Sequence, residues 1–324
     1  MKMFQRVGML AAIGCVSIAI GIKPALAEDI DIFAPSGGVG NTPNVLFIID
    51  NSTNWSAALS SVCYYKENGV VQDGMGGRPG PFPLDGGSLS KKFDLERCAL
   101  YNVIDSMKVN ADGSAIFNVG FMLFNEGPNY GAYVRKAFTP VSTANKVVLK
   151  LLLKSLDRSS DAGYSGGAYA LSMYEAYRYF AGATAFQGQA GSKWDPSAFV
   201  GTTYAPPGAL TGGNCVNGYI IFIANGAPGD KNDSEALALL ASTGGNTTKI
   251  APAPAYPFDL QDGNNWADEF ARFMSQTDVS SATGVQSIKT FAIAVTGASS
   301  DKNYPKFMDS VGINGGTSVM SRMN

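Results

Sequence analysis

The sequence predicts a doubly wound α/β domain built on a mostly parallel sheet, with one antiparallel edge strand and two long loop insertions. Three observations carry this. Short apolar runs near 45, 116, 219 and 288 alternate with segments of helical periodicity. The first run, Val45–Ile49, is apolar at every position, as a strand buried on both faces of a parallel sheet must be. One neighbouring pair, Ala115–Phe124 and Gly131–Phe138, is joined by Asn-Glu-Gly-Pro-Asn turn chemistry, which makes a hairpin at one edge of the sheet.

Taken in order, residues 1–27 have the form of an export signal. Lys2 and Arg6 give the positive start, Val7–Ile22 the apolar stretch, and Ala25-Leu26-Ala27 a small-x-small cleavage site that leaves Glu28 as the mature start. Residues 28–43 are a polar, Gly- and Pro-containing leader. After the first strand, Trp55–Val62 is expected to begin a helix. The excursion 64–90, with its Gly-Gly, Arg-Pro-Gly-Pro and Asp-Gly-Gly turns, interrupts it, and the helix resumes at about Phe93–Met107. Cys63 and Cys98 flank the excursion. A disulfide between them would pin its base and add roughly 3 kcal/mol in the chain-entropy picture. Cys215 is then left over.

Asn145–Leu156 repeats Val147, Val148, Leu151, Leu152 and Leu156 as the apolar side of an amphipathic helix. Residues 157–167 form a loop carrying Ser165. Ala168–Phe180 is a helix whose Tyr174, Tyr177 and Phe180 suit core packing. The second insertion, 182–217, is rich in Gly, Pro, Ser and Thr and holds Trp194, Phe199 and Tyr204, the kind of loop in which recognition resides. Tyr219–Ile223 is a further buried strand, Ser234–Leu240 a short helix, 243–263 a linker and Asn264–Gln276 a helix. Ile288–Val295 is the last strand and Asn303–Val311 the last helix of a domain spanning 44–311. The tail 312–324 shows no clear element.

Composition removes whole classes of function. Without a single histidine there is no Ser-His-Asp or Cys-His catalysis and no His-ligated zinc or haem. Ser52 or Ser165 as the nucleophile of an exported hydrolase would lack its base, and no Ser-x-x-Lys stands in a matching context, so no enzyme is expected. A net charge of −2 with no dense Lys/Arg run favours neither nucleic acid nor an anionic membrane. No Gly-x-Gly-x-x-Gly or Walker sequence follows a strand. Past the signal no apolar run nears the roughly 20 residues of a spanning helix, so no membrane insertion is expected after cleavage. Few charges (15%) and 38 glycines suit a secreted surface protein.

The chemistry-bearing stretch is the end of the first strand. Asp50, Ser52 and Asn54 place oxygen-bearing side chains at alternate positions where open α/β sheets bind ligands. That pattern suits a hard cation such as Mg²⁺ or Ca²⁺. The same residues equally suit an Asx-turn and a helix cap with no metal. A strand followed by Asp-x-Ser-x-Ser resembles the metal-site motif of von Willebrand factor A domains: Asp50 and Ser52 match, and Asn54 stands where that family has Ser. In Tyr219-Ile-Ile-Phe-Ile-Ala-Asn-Gly226, Asn225 takes the place of the family's later Asp and Ala224 that of its Thr. Ser165 is the nearest hydroxyl to stand for the intervening Thr. Asp50-Asn-Ser, Met173–Phe180 and Ile221–Asp230 resemble the N-terminal region of PilY/PilC-type type IV pilus tip-associated adhesins, over roughly residues 44–310.

The resemblance implies an exported protein of the periplasm, pilus tip or cell surface of a Gram-negative bacterium, acting in pilus assembly and adhesion. Its partners would be proteins: minor pilins or the pilus tip, and a surface or host receptor. It also implies a degenerate cation site of Asp50, Ser52, Asn54, Ser165 and Asn225, holding Mg²⁺ or Ca²⁺ weakly because Asn225 removes a charge. The alternative is a metal-free structural or interaction domain. The adhesins of that group continue into a C-terminal β-propeller, so the resemblance concerns their N-terminal region alone.

Overall fold

The computed structural model describes residues 42–52, 55, 57–58, 63–67, 70–71, 91–158, 160–161, 163, 167–191, 193–206, 218–229, 233–248, 265–280, 284–296, 303–317 and 321–323. The signal segment 1–27, most of the leader, Asn54, Ser165 and Cys215 lie outside the described residues.

In chain order the elements are β1 (Asn44–Ile49), β2 (Lys66–Glu67), β3 (Val70–Val71), α1 (Lys92–Ser106), β4 (Asn118–Phe124), β5 (Ala132–Pro140), α2 (Thr143–Ser155), α3 (Tyr169–Phe180), β6 (Phe199–Val200), β7 (Thr203–Tyr204), β8 (Gly218–Ala224), α4 (Asp233–Ser242), α5 (Ala267–Gln276), β9 (Ile288–Val295), α6 (Asn303–Asn314) and β10 (Ser321–Met323). One six-stranded sheet, in the order β10-β9-β8-β1-β4-β5, organises them, and β2/β3 and β6/β7 are small antiparallel pairs. Every pairing in the large sheet is parallel except β4 with β5. The fold is the doubly wound, mostly parallel α/β sheet that the apolar runs predict.

All six residues of β1 are buried, because the strand lies between β4 and β8 and both of its faces are covered. Leu46 and Ile48 join Met122, Phe124, Ile220 and Phe222 in the core that α3, α4, α5 and α6 complete. On the other face Phe47 stacks on Phe121 at 5.6 Å. From β1 the chain winds outward through β4 to β5, then returns to β8 and winds the other way. The order reverses between β1 and β8, and that is where a doubly wound sheet opens its crevice.

Three expectations fail locally. Among the described residues Trp55 sits in a 3-10 turn, its N–H donating to Ser52 O (2.9 Å), and no α-helix includes 57 and 58. Ala58 instead bridges antiparallel to Lys91, and Lys92 N–H donates to Ala57 O (3.0 Å), so the chain here is extended and closes the base of the excursion. Trp55 buries its ring edge-on against Phe93 at 3.8 Å, a packing role its apolar neighbours had suggested was helical. The tail holds a strand, β10, parallel to β9; its Ser-Arg-Met carries neither an apolar run nor an alternation. The third is α2. Val147, Val148 and Leu151 face solvent, 49–60% exposed, while Lys146, Lys150 and Lys154 line the seam with α1. Lys150 Nζ pairs with Asp105 Oδ1 (2.8 Å) and lies 5.3 Å from the Tyr101 ring centre. Lys154 lies over the Tyr101 and Tyr65 rings, and Lys146 Nζ donates to Asp105 O (3.0 Å) at the end of α1. Acidic and aromatic side chains on α1 outbid the aliphatic stripe for that seam; of the stripe Leu156 is buried, and Leu149 and Leu153, outside it, are fully buried.

The expected Cys63–Cys98 disulfide is formed, with Cα atoms 6.0 Å apart. The described part of the second insertion runs along the open edge of β5. Asp195 N–H donates to Val134 O (2.8 Å), Ala137 N–H to Asp195 Oδ2 (3.0 Å) and Phe138 N–H to the Tyr179 hydroxyl (2.9 Å), so the groups an edge strand would expose are taken. The clasp is Glu175 on α3, fully buried. Its carboxylate accepts from Phe186 N (3.1 Å), Gln187 N (2.7 Å) and the Tyr204 hydroxyl (2.6 Å). Burial nonetheless raises its pKa to about 6.

Two predictions follow from these contacts. Leu151→Lys on α2 should change stability by less than about 0.5 kcal/mol, whereas Leu149→Ala or Leu153→Ala should cost about 2–5 kcal/mol in urea unfolding. Because the folded pKa of Glu175 lies above its unfolded value, its contribution is fully present below about pH 4.5 and is lost as pH rises through about 6. About 2 kcal/mol should disappear across that window. Glu175→Gln, less stable throughout for want of one acceptor, should show a flatter pH profile.

Candidate functional site

Asp50 leaves the carboxyl end of β1 and Asn225 that of β8, so the two meet at the point where the strand order reverses. Asp50 N–H continues the sheet by donating to Ile223 O (3.0 Å). The Asp50 side chain is wholly buried. Its Oδ1 accepts from Ser52 N–H (3.0 Å), the Asx-turn that the spacing also allowed. Its Oδ2 accepts from the Tyr169 hydroxyl (2.6 Å) and from Asn225 N–H (3.1 Å), and Asn225 Nδ2 donates to the Asp50 carbonyl (2.5 Å). The Tyr169 proton has a second acceptor in Gly226 O (2.7 Å).

Tyr169 reaches this position from the first turn of α3. Gly167 precedes it at φ +64°, and a Cβ there would sit 2.8 Å from the tyrosine ring, so glycine lets the ring lie back over the strand ends. Gly229 N–H donates to Gly167 O (3.2 Å), tying the β8 loop to the same turn. From α1, Lys92 is buried and its Nζ donates to Asn225 O (2.5 Å). One turn on, Glu96 is 1% exposed, and neither of its carboxyl oxygens has a hydrogen-bond donor among the described residues. The Asn225 Oδ1 lacks one too. Burial and the Asp50 charge hold the Glu96 pKa well above the usual carboxylate range, against the opposing pull of the Asn225 amide and the Lys92 ammonium.

Asn51, between the two named motif residues, is the organiser of the neighbouring loop. It is 1% exposed. Its Oδ1 accepts from Phe124 N–H (2.8 Å), and its Nδ2 donates to Phe124 O (3.0 Å) and Asp161 O (2.6 Å). A Cβ on Gly163 would fall 2.7 Å from Asn51 Oδ1, so that loop residue has to be glycine. Asp161, also buried, pairs with Arg135 Nε (3.1 Å) and Lys193 Nζ (3.2 Å). Next to this network the carboxyl end of β4 opens into a cavity of about 220 Å³. Phe124, Asn125, Tyr133 and Ser160 line it together with Ala190 and Lys193 of the second insertion. Asn125 spends its amide nitrogen on Ala132 O (3.4 Å) and Gln187 O (3.0 Å). Burial, aided by the Asp161 charge, raises the Tyr133 pKa, so its phenol stays protonated.

Of the five residues proposed as cation ligands, the structure brings Asp50, Ser52 and Asn225 together, and Asn54 and Ser165 lie outside the described residues. The hydroxyl found on Asp50 is that of Tyr169. Among the described residues the donor set does not fit a resident divalent ion. Three protein donors already occupy the Asp50 carboxylate, an ammonium sits on the Asn225 backbone carbonyl, and among the described residues Asn225 Oδ1 and the Glu96 carboxyl are buried oxygens without a donor. Sequence reasoning did not find Asn51, Lys92, Glu96 or Tyr169. The one legible signal among them was a lysine and a glutamate four apart on a helix otherwise read for its apolar residues.

No family model matches the chain, and no curated protein matches it. Among solved structures it is similar to a mutant of the PilB minor pilin from Streptococcus sanguinis, at 11% sequence identity and a TM-score of 0.45, over 89% of this chain and 57% of that one. The chain thus spans a little over half the length of that structure.

Asn51→Ala should cost about 3 kcal/mol or more in urea unfolding, since it strands the buried N–H of Phe124 and frees two carbonyls. Asn51→Asp should be no better, because its second oxygen would face those two carbonyls in place of an amide donor.

Proposed function

We propose that this chain is an exported, type IV pilus-associated protein whose α/β domain is a protein-binding module of the von Willebrand A kind, acting in pilus assembly and surface adhesion. The observation that carries the binding-module half is the meeting of Asp50 and Asn225, 175 residues apart in sequence, at the reversal of strand order. That is where the resemblance puts the family's adhesion site. The pilus half rests on the wording of three segments, Asp50-Asn-Ser, Met173–Phe180 and Ile221–Asp230. A doubly wound scaffold whose second insertion supplies Ala190 and Lys193 to the cavity beside the site also supports a recognition role. The alternative, a metal-free structural or interaction domain of the cell surface, draws on the occupied Asp50 carboxylate.

The test is cellular. Deleting the gene in its own bacterium should remove adhesion or surface pili, and the tagged protein should co-purify with sheared pili. Ala190→Trp, which fills the cavity, should leave export and folding intact and lower adhesion about tenfold, the loss of one good contact. Unchanged pili and adhesion in the deletion strain would sink the proposal.

A further inference from the structure

The von Willebrand A resemblance calls for a divalent ion at the Asp50 site, and the described residues gathered there do not suit one. A hard cation needs oxygen lone pairs converging on a shared point with a coordination position left open. The Asp50 carboxylate instead accepts from Ser52 N–H, Asn225 N–H and the Tyr169 hydroxyl, and its carbonyl accepts from Asn225 Nδ2. The positive charge in the cluster is Lys92. It is buried, its Nζ stands 2.5 Å from Asn225 O, and the Tyr304 ring lies 5.9 Å away. An aromatic neighbour favours an organic ammonium over a strongly hydrated metal. A divalent ion bound to Asn225 would meet that ammonium at close range, and like charges in a buried cluster repel strongly.

We infer that the protein supplies its own cation. The Lys92 ammonium on Asn225, with the Tyr169 hydroxyl on Asp50, takes the place a divalent ion would fill, and the domain folds and engages its partner without Mg²⁺ or Ca²⁺. Engagement of a partner rests on the binding module proposed above; the folding half stands apart from it. Lys92 is well placed for the task because it lies in the first turn of α1, and α1 is pinned independently. Arg97 on the same helix pairs with Asp94 (2.7 Å) and donates to the carbonyls of Lys154 and Leu156 (3.1 and 3.3 Å), and Cys98 carries the disulfide.

The experiment is calorimetric melting of the full exported protein in chelator and in millimolar Mg²⁺, Ca²⁺ or Mn²⁺. The wild-type Tm should be the same in all four. Lys92→Met should melt several degrees lower in chelator and be raised by a divalent ion, since the methionine removes the charge and leaves the acceptors. Lys92→Met combined with Asp50→Asn should lose that response. A wild-type Tm that rises with metal or falls on chelation overturns the inference. So does a Lys92→Met protein that melts like the wild type, or one that no divalent ion raises. If Lys92→Met does not accumulate, the wild-type comparison decides alone. A chelated wild type that keeps its Tm but does not associate with sheared pili would count against the binding module and leave the internal cation standing.

Discussion

One buried carboxylate governs the centre of this molecule. Asp50 is wholly buried at the end of a strand that is itself buried on both faces, and a charge in such a place is tolerable only if donors surround it. Ser52, Asn225 and Tyr169 provide them from three separate parts of the chain. Each brings its own element into register. The Asn225 amide locks β8 beside β1 beyond the last sheet bond, and the Tyr169 hydroxyl fixes the first turn of α3 against both. Lys92 then draws the start of α1 onto the same cluster. Among the described residues the crevice of the doubly wound sheet holds a buried polar cluster, and a cavity opens one strand over, at the end of β4.

The division of labour between Asp50 and Asn51 explains why adjacent residues point to different networks. Successive positions leaving a strand face opposite ways. Asp50 serves β8 and α3; Asn51 serves β4 and the loop residues Asp161 and Gly163. The second network ends on Asp161, whose ion pairs reach β5 through Arg135 and the second insertion through Lys193. Hence the insertion, anchored at its other side by Glu175, is joined to the central strand through a series of polar contacts that is buried at Asn51 and Asp161 and partly exposed at Lys193.

How much of this the sequence disclosed depends on what kind of information each feature needs. The strands at 45 and 219 and the hairpin declared themselves because burial on both faces, or a turn between two apolar runs, leaves a local mark, and the strand at 288 because its buried positions alternate with more exposed ones over most of its length. Asp50 and Asn225 stood out because each ends such a run abruptly. Tyr169, Lys92 and Glu96 did not, since their roles depend on partners 119, 133 and more residues away, or on burial that no local pattern reveals. α2 was misread for a related reason. A row of Val and Leu beside a row of Lys looks like an inward and an outward face, and the reversal is dictated by Asp105, Tyr101 and Tyr65, which lie elsewhere. β10 left no mark because three residues pairing with one neighbour need no pattern of their own.

The disulfide has a mechanical side. Cys63 and Cys98 are separated by 35 residues yet lie 6.0 Å apart between Cα atoms. When tension runs along the backbone from one end to the other, it passes through the sulfur bridge and bypasses everything between. About 120 Å of contour length is withheld from extension, at 3.3–3.6 Å per residue. A protein pulled by a retracting fibre would lengthen by that much less before its core gave way, and the excursion would stay slack while the sheet bore the strain.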